Sequence, residues 1–185
     1  GFFYVLDRAT GELLSAEKYS KANWASHIDM KTGRPVLTPQ GWYKDTPKLV
    51  IPSLSGAHSW QPMSYSPLTK LVYIPEIVAP MIYRSLPAYA FKKGTFGTGL
   101  NYTNVDPPYV SEARKYITNQ PDTVYRNFLK AWDPVTQKEV WKVEMDVPKA
   151  NGGVLSTAGN LVLEGTSTGY LRVYQATTGK LLKEI

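Results

Sequence analysis

One pattern occurs three times along this chain of 185 residues. Each copy has a β-prone apolar run, a polar turn and a second short run, at residues 3–14, 129–141 and 171–182. The turns of the last two copies, at Asp133 and Gln175, lie 42 residues apart. Repeats of roughly 40–50 residues built from short strands are typical of β-propeller blades. Because a blade is one sector of a ring, the function of such a chain depends on residues that several blades bring to a common axis.

The length limits how much of a ring the chain can form. A closed propeller needs at least about four blades of four strands. At the observed repeat length 185 residues hold about four blades at most, and both chain ends fall inside the strand pattern. We therefore predict an all-β fold, a partial β-propeller of about three to four four-stranded blades. Residues 1–185 are expected to be a fragment of a single propeller domain.

Composition excludes several function classes. The net charge is +6, but the 21 Lys and Arg residues are dispersed rather than clustered, so no nucleic-acid surface is expected. The chain has no cysteine, which rules out disulfides and Cys-ligated metal within it. No apolar run approaches the roughly 20 residues of a membrane span. The two histidines, His27 and His58, lack the spacing of a hydrolytic metal site.

The N-terminal half contains two turns of the form Asp-x-x-Thr-Gly. The first joins a predicted hairpin within residues 1–18 and places Gly11 where a positive φ is needed. The second lies only 22 residues further on, so we interpret residues 28–36 as a decorated loop or outer strand. Residues 38–62 are rich in proline and glycine and predict irregular chain on the surface or at one mouth of the ring. Residues 63–75 predict a strand, a turn and a strand.

The region of residues 76–126 is the least periodic. We predict a long irregular insertion between blades, with a short helix near residues 111–118. Beyond it the strands are predicted at residues 129–133, 140–145, 153–157, 161–164, 169–175 and 181–185. The last four of these are expected to form one complete blade.

The second copy of the repeat contains residues suited to holding blades together. Asp133 and Thr136 can accept or donate hydrogen bonds within the turn. Trp141, on the outer strand, can stack over the neighbouring blade and donate through its indole N–H. The matching positions in the other copies are Ser15 and Lys183. We interpret these residues as docking elements and expect weaker docking, or docking by neighbours, in those two copies.

Several stretches together resemble the pyrroloquinoline-quinone (PQQ)-dependent alcohol dehydrogenases. They occur in the order of that family and cover most of the chain apart from residues 76–126. The matching stretches are residues 1–8, 32–36, 56–60, 66–67, 71–75, 131–134 and 151–162. The resemblance places the chain in the C-terminal middle of the catalytic, eight-bladed propeller.

The resemblance implies a redox reaction. In the family an aspartate takes the alcohol proton, hydride passes to PQQ, and Ca²⁺ or a lanthanide polarises the quinone carbonyl. The catalytic aspartate and the metal ligands are expected upstream, so neither a catalytic residue nor a metal ligand is predicted here. A haem c domain is compatible with the parent protein but not with this segment. The isolated segment is expected to be inactive.

The same resemblance assigns candidate cofactor-binding residues. The position after Gly-x-His contacts the quinone edge and is usually Asn; here it is Ser59, flanked by His58 and Trp60. The family segment that meets the cofactor beside the axis matches Asn151 and Gly152, preceded by Ala150 where many relatives carry Trp. A loop histidine, a packed tryptophan and a plain Asn-Gly turn are the structural alternatives.

The implied partners are a small alcohol substrate and cytochrome c or another electron acceptor, in the bacterial periplasm. The alternative function is a non-enzymatic propeller scaffold of an outer-membrane assembly complex. Such a scaffold shares the turn and tryptophan signals but lacks the Gly-Ala-His-x-Trp loop and the Asn-Gly-Gly segment. Both of these are present at residues 56–60 and 151–153, which favours the enzyme.

Overall fold

The computed structural model describes residues 1–86, 88–94, 97, 99–104, 125–145 and 152–185. Nearly all regular structure in these ranges is strand, with a single-turn 3-10 helix at Pro39–Gly41. The strands of the first half are β1 Phe2–Leu6, β2 Leu13–Lys18, β3 Ala25–Asp29, β4 Arg34–Leu37, β5 Lys48–Val50, β6 Ser64–Ser66, β7 Leu71–Val78 and β8 Met81–Ser85. Those of the second half are β9 Leu100–Asn104, β10 Arg126–Asp133, β11 Lys138–Glu144, β12 Val154–Ser156, β13 Leu161–Gly165, β14 Leu171–Gln175 and β15 Leu181–Glu184.

Two four-stranded antiparallel sheets dominate the described residues. The first, which we name the middle blade, has the order β6-β7-β10-β11, and the second, the last blade, has the order β12-β13-β14-β15. A hairpin β1-β2, a hairpin β3-β4 and a three-stranded sheet β5-β8-β9 complete the fold. None of these sheets closes on itself. The prediction of an all-β partial propeller with four-stranded blades is confirmed, including the complete blade at the C-terminal end.

The second Asp-x-x-Thr-Gly segment is more regular than predicted. Residues 28–36 were expected to form a decorated loop or outer strand, but β3 and β4 pair with each other from Ala25 to Leu37. Gly33 donates its amide to the carbonyl of Asp29 at 2.7 Å, as Gly11 does to Asp7 at 2.8 Å. The same turn chemistry therefore builds the same hairpin, although the separation is only half a blade.

The segment before β6 is less irregular than predicted for residues 38–62, because it contains the short strand β5, and part of it is buried. Ser53 donates its amide to Ala79, and Ile77 donates its amide to Ala57. These bonds hold the segment against the far end of β7, so Ile51 and Ala57 lie in the interior rather than on the surface.

The insertion lies within a blade, contrary to the prediction that residues 76–126 separate two blades. β7 and β10 are hydrogen-bonded neighbours, paired from Arg126 with Val78 to Trp132 with Val72. The chain thus leaves and returns to the same sheet. The insertion is also less irregular than predicted, since β8 pairs with both β5 and β9. The predicted helix near residues 111–118 lies outside the described residues.

The middle blade packs on both faces because side chains alternate along its strands. One face contributes Tyr73, Leu129 and Ala131 to a buried cluster shared with Val162 and Tyr174 of the last blade. The other face contributes Ile74 and Trp132, which pack with Tyr19, Ala57 and Phe3. The core is therefore a series of layers between neighbouring sheets, as in a propeller.

Trp141 docks the middle blade onto the last blade, as the sequence predicts. Its indole nitrogen donates to the carbonyl of Ala176 at 2.9 Å, and the hydroxyl of Tyr73 donates to the same carbonyl at 3.1 Å. The two rings lie 5.7 Å apart, centroid to centroid. Gly179 sits under the indole, where a Cβ would lie 2.6 Å from the ring. One carbonyl and one glycine of the last blade thus accommodate the outer strand of its neighbour.

The turn of β10-β11 also behaves as predicted. The carboxylate of Asp133 accepts hydrogen bonds from the amides of Val135 and Thr136, at 2.8 and 3.2 Å. Bonds from the Thr136 side chain and from these amides lower the pKa of Asp133. In the first copy, which lacks the tryptophan, the neighbouring turn supplies the contact, because Gln137 donates to Ser15 at 2.9 Å.

A matched pair of glycine substitutions tests the tryptophan dock. Gly11 and Gly179 hold the same turn position with φ of 76° and 70°, but only Gly179 has a neighbour within 4 Å. Gly11→Ala should cost about 1–2 kcal/mol, the strain of the left-handed region alone. Gly179→Ala should cost about 1–3 kcal/mol more, because the methyl group displaces Trp141. Urea unfolding of both variants measures the difference, and equal losses would contradict the dock.

Candidate functional site

The two four-stranded blades converge along their first strands. Ser64 on β6 and Ser156 on β12 face each other with their hydroxyl oxygens 2.5 Å apart, and Ser156 also donates to the carbonyl of Tyr65. Two residues earlier in each segment, Val154 donates its amide to the carbonyl of Pro62 at 2.9 Å. The contacts advance together in both strands, so β6 and β12 run side by side in the same direction. These two strands are therefore the inner strands, and their starting ends lie on the same rim.

The loop of His58, Ser59 and Trp60 lies directly before β6 on that rim. The Nδ1 atom of His58 is 3.1 Å from the carbonyl oxygen of Pro75, which anchors the ring to β7. Ser59 is exposed, and 78% of Trp60 is exposed. Sequence reasoning left a packed tryptophan as an alternative, but within the described residues the Trp60 ring is mostly uncovered. His58 is half-buried and acts as a structural anchor of the loop.

The second candidate segment lies beside the first. Gly152 donates its amide to Gly165 at 2.8 Å, which aligns the segment with β13 before β12 begins. A Cβ on Gly153 would lie 2.3 Å from the ring of Pro62, two residues beyond Trp60. Asn151 lies outside the described residues. The described part of this segment and the His58–Trp60 loop thus share one rim and touch through Gly153 and Pro62.

The described groups fit a planar, polar ligand in part. Ser59 offers an exposed hydroxyl that can donate or accept, and Trp60 offers an exposed aromatic face. The amide of Gly152 is already bonded to Gly165, so a contact of Gly152 with the cofactor stays a prediction. A Cβ at position 153 would clash with Pro62, so the glycine there allows the close contact of the two inner strands. Ser59 and Trp60 are the candidates whose side chains are exposed on this rim.

A cluster of buried charges lies on the face of the middle blade that points away from the last blade. The sequence analysis did not predict this cluster. Lys130 is 4% exposed, and its ammonium is 2.9 Å from Glu76 and 3.0 Å from Glu139. It also donates to the carbonyl of Tyr19. Burial, with a smaller contribution from Glu76, raises the pKa of Tyr19 above its usual range. The sequence does carry one sign of this cluster, because Glu76 and Lys130 each interrupt an apolar strand.

A cavity of about 470 Å³ adjoins this ion cluster, between the end of β2 and the middle blade. Its charged lining consists of Lys18, Lys21, Glu76, Arg126, Lys130 and Lys142. None of the predicted cofactor residues that the structure describes, which are His58, Ser59, Trp60 and Gly152, lines it. The cavity is thus separate from the rim that carries Ser59 and Trp60.

Two further buried polar side chains escaped sequence reasoning. Gln61 follows Trp60 and is 1% exposed, and Glu164 on β13 is also 1% exposed. Glu164 interrupts an apolar strand as Glu76 does, so the pattern was visible. The burial of Glu164 could not be predicted, because strand alternation assigns it to one of the two faces of β13 without indicating which face is packed.

Within the described ranges, no group of three or more His, Cys, Asp or Glu side chains is arranged to hold a metal ion. Among the same residues no helix is long and apolar enough to cross a membrane.

Comparison with known proteins gives matches over the whole chain. No protein-family profile matches it. The quinohemoprotein alcohol dehydrogenase ADH IIB of Pseudomonas putida is 43% identical over 182 residues, which are 98% of this chain and 24% of that protein. The dehydrogenase subunit of the quinone alcohol dehydrogenase of Acetobacter aceti is 40% identical over 183 residues, 97% of this chain and 24% of that protein.

Solved structures agree with the sequence matches. The quinohemoprotein alcohol dehydrogenase ADHIIG of Pseudomonas putida superposes with a TM-score of 0.83 at 41% identity, covering 100% of this chain and 27% of that one. The enzyme of Comamonas testosteroni gives 0.83 at 35% identity, with the same coverage. The chain is homologous to a segment of the quinoprotein alcohol dehydrogenases. It spans about a quarter of the length of the curated relatives it matches.

The names of the matched proteins bear on the two functions predicted from the sequence. The relatives include alcohol dehydrogenases and a lupanine 17-hydroxylase, and a europium-containing methanol dehydrogenase superposes with a TM-score of 0.77. The scaffold alternative receives no support from them. The turn and tryptophan signals do not distinguish a scaffold from an enzyme, since they serve blade packing in both.

The contact between the two inner strands can be tested at Gly153. Gly153→Ala places a methyl group against the rigid ring of Pro62 and should lower the free energy of unfolding by about 1–3 kcal/mol. Gly159→Ala is the matched control, because its Cβ would meet Thr157 at an ordinary 3.6 Å. Urea unfolding compares the two. If Gly153→Ala is as stable as the control, the two inner strands do not lie as close as described.

The buried ion cluster makes a separate prediction. Lys130→Met leaves Glu76 buried without its cation and should cost about 3–5 kcal/mol of unfolding free energy. Lys142→Met removes a half-exposed lysine, 3.5 Å from Glu139, and should cost less than about 1 kcal/mol. Chemical unfolding at neutral pH distinguishes them. Similar small losses would show that Lys130 is solvated.

Proposed function

We propose that this chain is one segment of a PQQ-dependent alcohol dehydrogenase and that its rim of Ser59 and Trp60 forms part of the wall around the quinone. The observation that carries the proposal is the position of the loop. It precedes an inner strand, on the same rim as the Gly152 segment, in a chain homologous throughout to quinoprotein alcohol dehydrogenases.

A quinone held at this rim would supply the hydride acceptor for alcohol oxidation, and Ca²⁺ or a lanthanide would supply a Lewis acid. The residues of this chain would bind and orient rather than transfer protons. Ser59 would donate a hydrogen bond to the quinone edge, over a shorter reach than the amide common in the family. Trp60 would cover an apolar part of the site and exclude water. The anchor between His58 and Pro75 would fix the loop that carries both.

The proposal extends to the parent protein. Its substrate would be a small primary alcohol, oxidised to an aldehyde, and its electrons would pass to cytochrome c or a similar acceptor in the bacterial periplasm. The catalytic aspartate and the metal ligands would lie outside residues 1–185. Asn151 would belong to the same wall as Ser59. The single propeller domain spanning residues 1–185 is part of this proposal.

The test uses the full-length parent protein that contains this segment. PQQ is titrated in the presence of Ca²⁺, and dye reduction is followed with primary alcohols. Ser59→Ala should raise the dissociation constant of PQQ about three- to tenfold, since one hydrogen bond is lost. Ser55→Ala removes an exposed hydroxyl four residues earlier and should leave the affinity unchanged.

Two results would contradict the proposal at different levels. Failure of the unmodified parent to bind PQQ and reduce the dye would reject the enzymatic function. Normal activity of the parent with unchanged PQQ affinity in Ser59→Ala would retain the enzyme but remove Ser59 from its cofactor site.

A further inference from the structure

Glu164 has no role in the proposed cofactor site, yet it is among the most completely buried side chains of the chain. It lies on β13, paired with Val154 on β12 and with Arg172 on β14. Only 1% of the residue is exposed. Among the described residues, neither carboxyl oxygen has a hydrogen-bond partner. A buried carboxylate without donors is strongly disfavoured, because it loses its hydration and gains nothing in return.

The side chain faces the middle blade. Residues two apart on a strand share a face, and Val162, two before Glu164, belongs to the cluster that joins the two blades. The cross-strand neighbour Val154 belongs to the same cluster. Glu164 therefore lies in the contact between the middle and last blades.

Arg172 stands directly across from Glu164 on β14 and lowers the pKa of its carboxyl group, but burial outweighs this effect. Arg172 is the opposing cation, but its guanidinium is 2.5 Å from Glu184 on β15 and also contacts the sulfur of Met145. Among the described residues, the cluster that packs here contains Leu129 and Tyr73 of the middle blade and Met145 just after β11, none of which is charged. Tyr174 of the last blade lies 4.0 Å from the Met145 sulfur. The protonated acid is thus the form that this interface accommodates.

We propose that Glu164 is a pH-sensitive element of the interface between the middle and last blades, docked as a neutral acid and loosened when it ionises. This inference does not depend on the proposed enzymatic function. It requires only the burial of the carboxyl group and its place between two sheets.

The direction of the pH dependence follows from linkage. Burial raises the pKa of Glu164 from 4.5 to about 8, against a smaller lowering effect of Arg172. In the unfolded chain the carboxyl ionises near its ordinary value. Between these two pKa values the folded chain binds a proton that the unfolded chain has lost, so stability falls as pH rises. The contribution of Glu164 is complete below the unfolded pKa and is lost by the time the pH exceeds the folded one.

The experiment compares urea unfolding of the 185-residue chain and of Glu164→Gln at about pH 5 and about pH 9. The glutamine keeps the shape of the neutral acid and cannot ionise. From linkage, the folding equilibrium constant of the unmodified chain should fall several hundredfold relative to Glu164→Gln across this range. Glu17→Gln, at an exposed position of β2, should follow the unmodified chain.

Infrared spectroscopy provides a second measurement that does not require the variant to fold. The unmodified chain at neutral pH should show the C=O stretching band of a protonated carboxyl group, which disappears at alkaline pH. A relative change of less than about tenfold between the unmodified chain and Glu164→Gln would overturn the proposal. So would an infrared spectrum in which every carboxyl group is already ionised at neutral pH.

Discussion

The structure depends on the contact between neighbouring sheets, and its central element is the carbonyl of Ala176. Trp141 and Tyr73 of the middle blade both donate to this one oxygen of the last blade. The bonds sit at the edge of a cluster whose members are almost fully buried, so water does not compete for them. A four-stranded sheet of this kind exposes two apolar faces and is stable only when each is covered. The contact of Trp141 and Tyr73 with Ala176 fixes how the last blade covers one face of the middle blade, and so the orientation of the two sheets.

Sequence reasoning succeeded where short-range rules apply. The turns at Gly11 and Gly179 were predicted because their chemistry is contained within five residues, and Trp141 because it stands in fixed register with such a turn. The same rules failed for the insertion. The pairing of Val78 with Arg126 joins residues nearly fifty positions apart, and no local pattern indicates that two strands so distant in sequence are neighbours.

The candidate site was predictable only in part, for a related reason. The loop around Ser59 and the segment at Gly152 were identified by resemblance, but their proximity follows from β6 and β12 running side by side. That arrangement depends on how two whole sheets pack. The amide of Gly152, which was expected to approach the cofactor, donates to Gly165 and extends the sheet. The buried charges were not predicted, because the burial of a polar residue in an apolar strand can be inferred only when the packed face of that strand is known.

Lys130 and Glu164 show two ways in which this fold handles a charge between sheets. Lys130 is surrounded by two carboxylates and a carbonyl, so its cost of burial is offset by opposite charge and a hydrogen bond. Glu164 has Arg172 directly across from it on the next strand, but that cation is also bound to Glu184 and burial prevails, so the less costly solution is a proton. The two faces of the same blade are thus held by different physical means. One face is held by paired charges, whereas the neutral acid on the other face makes its interface sensitive to pH.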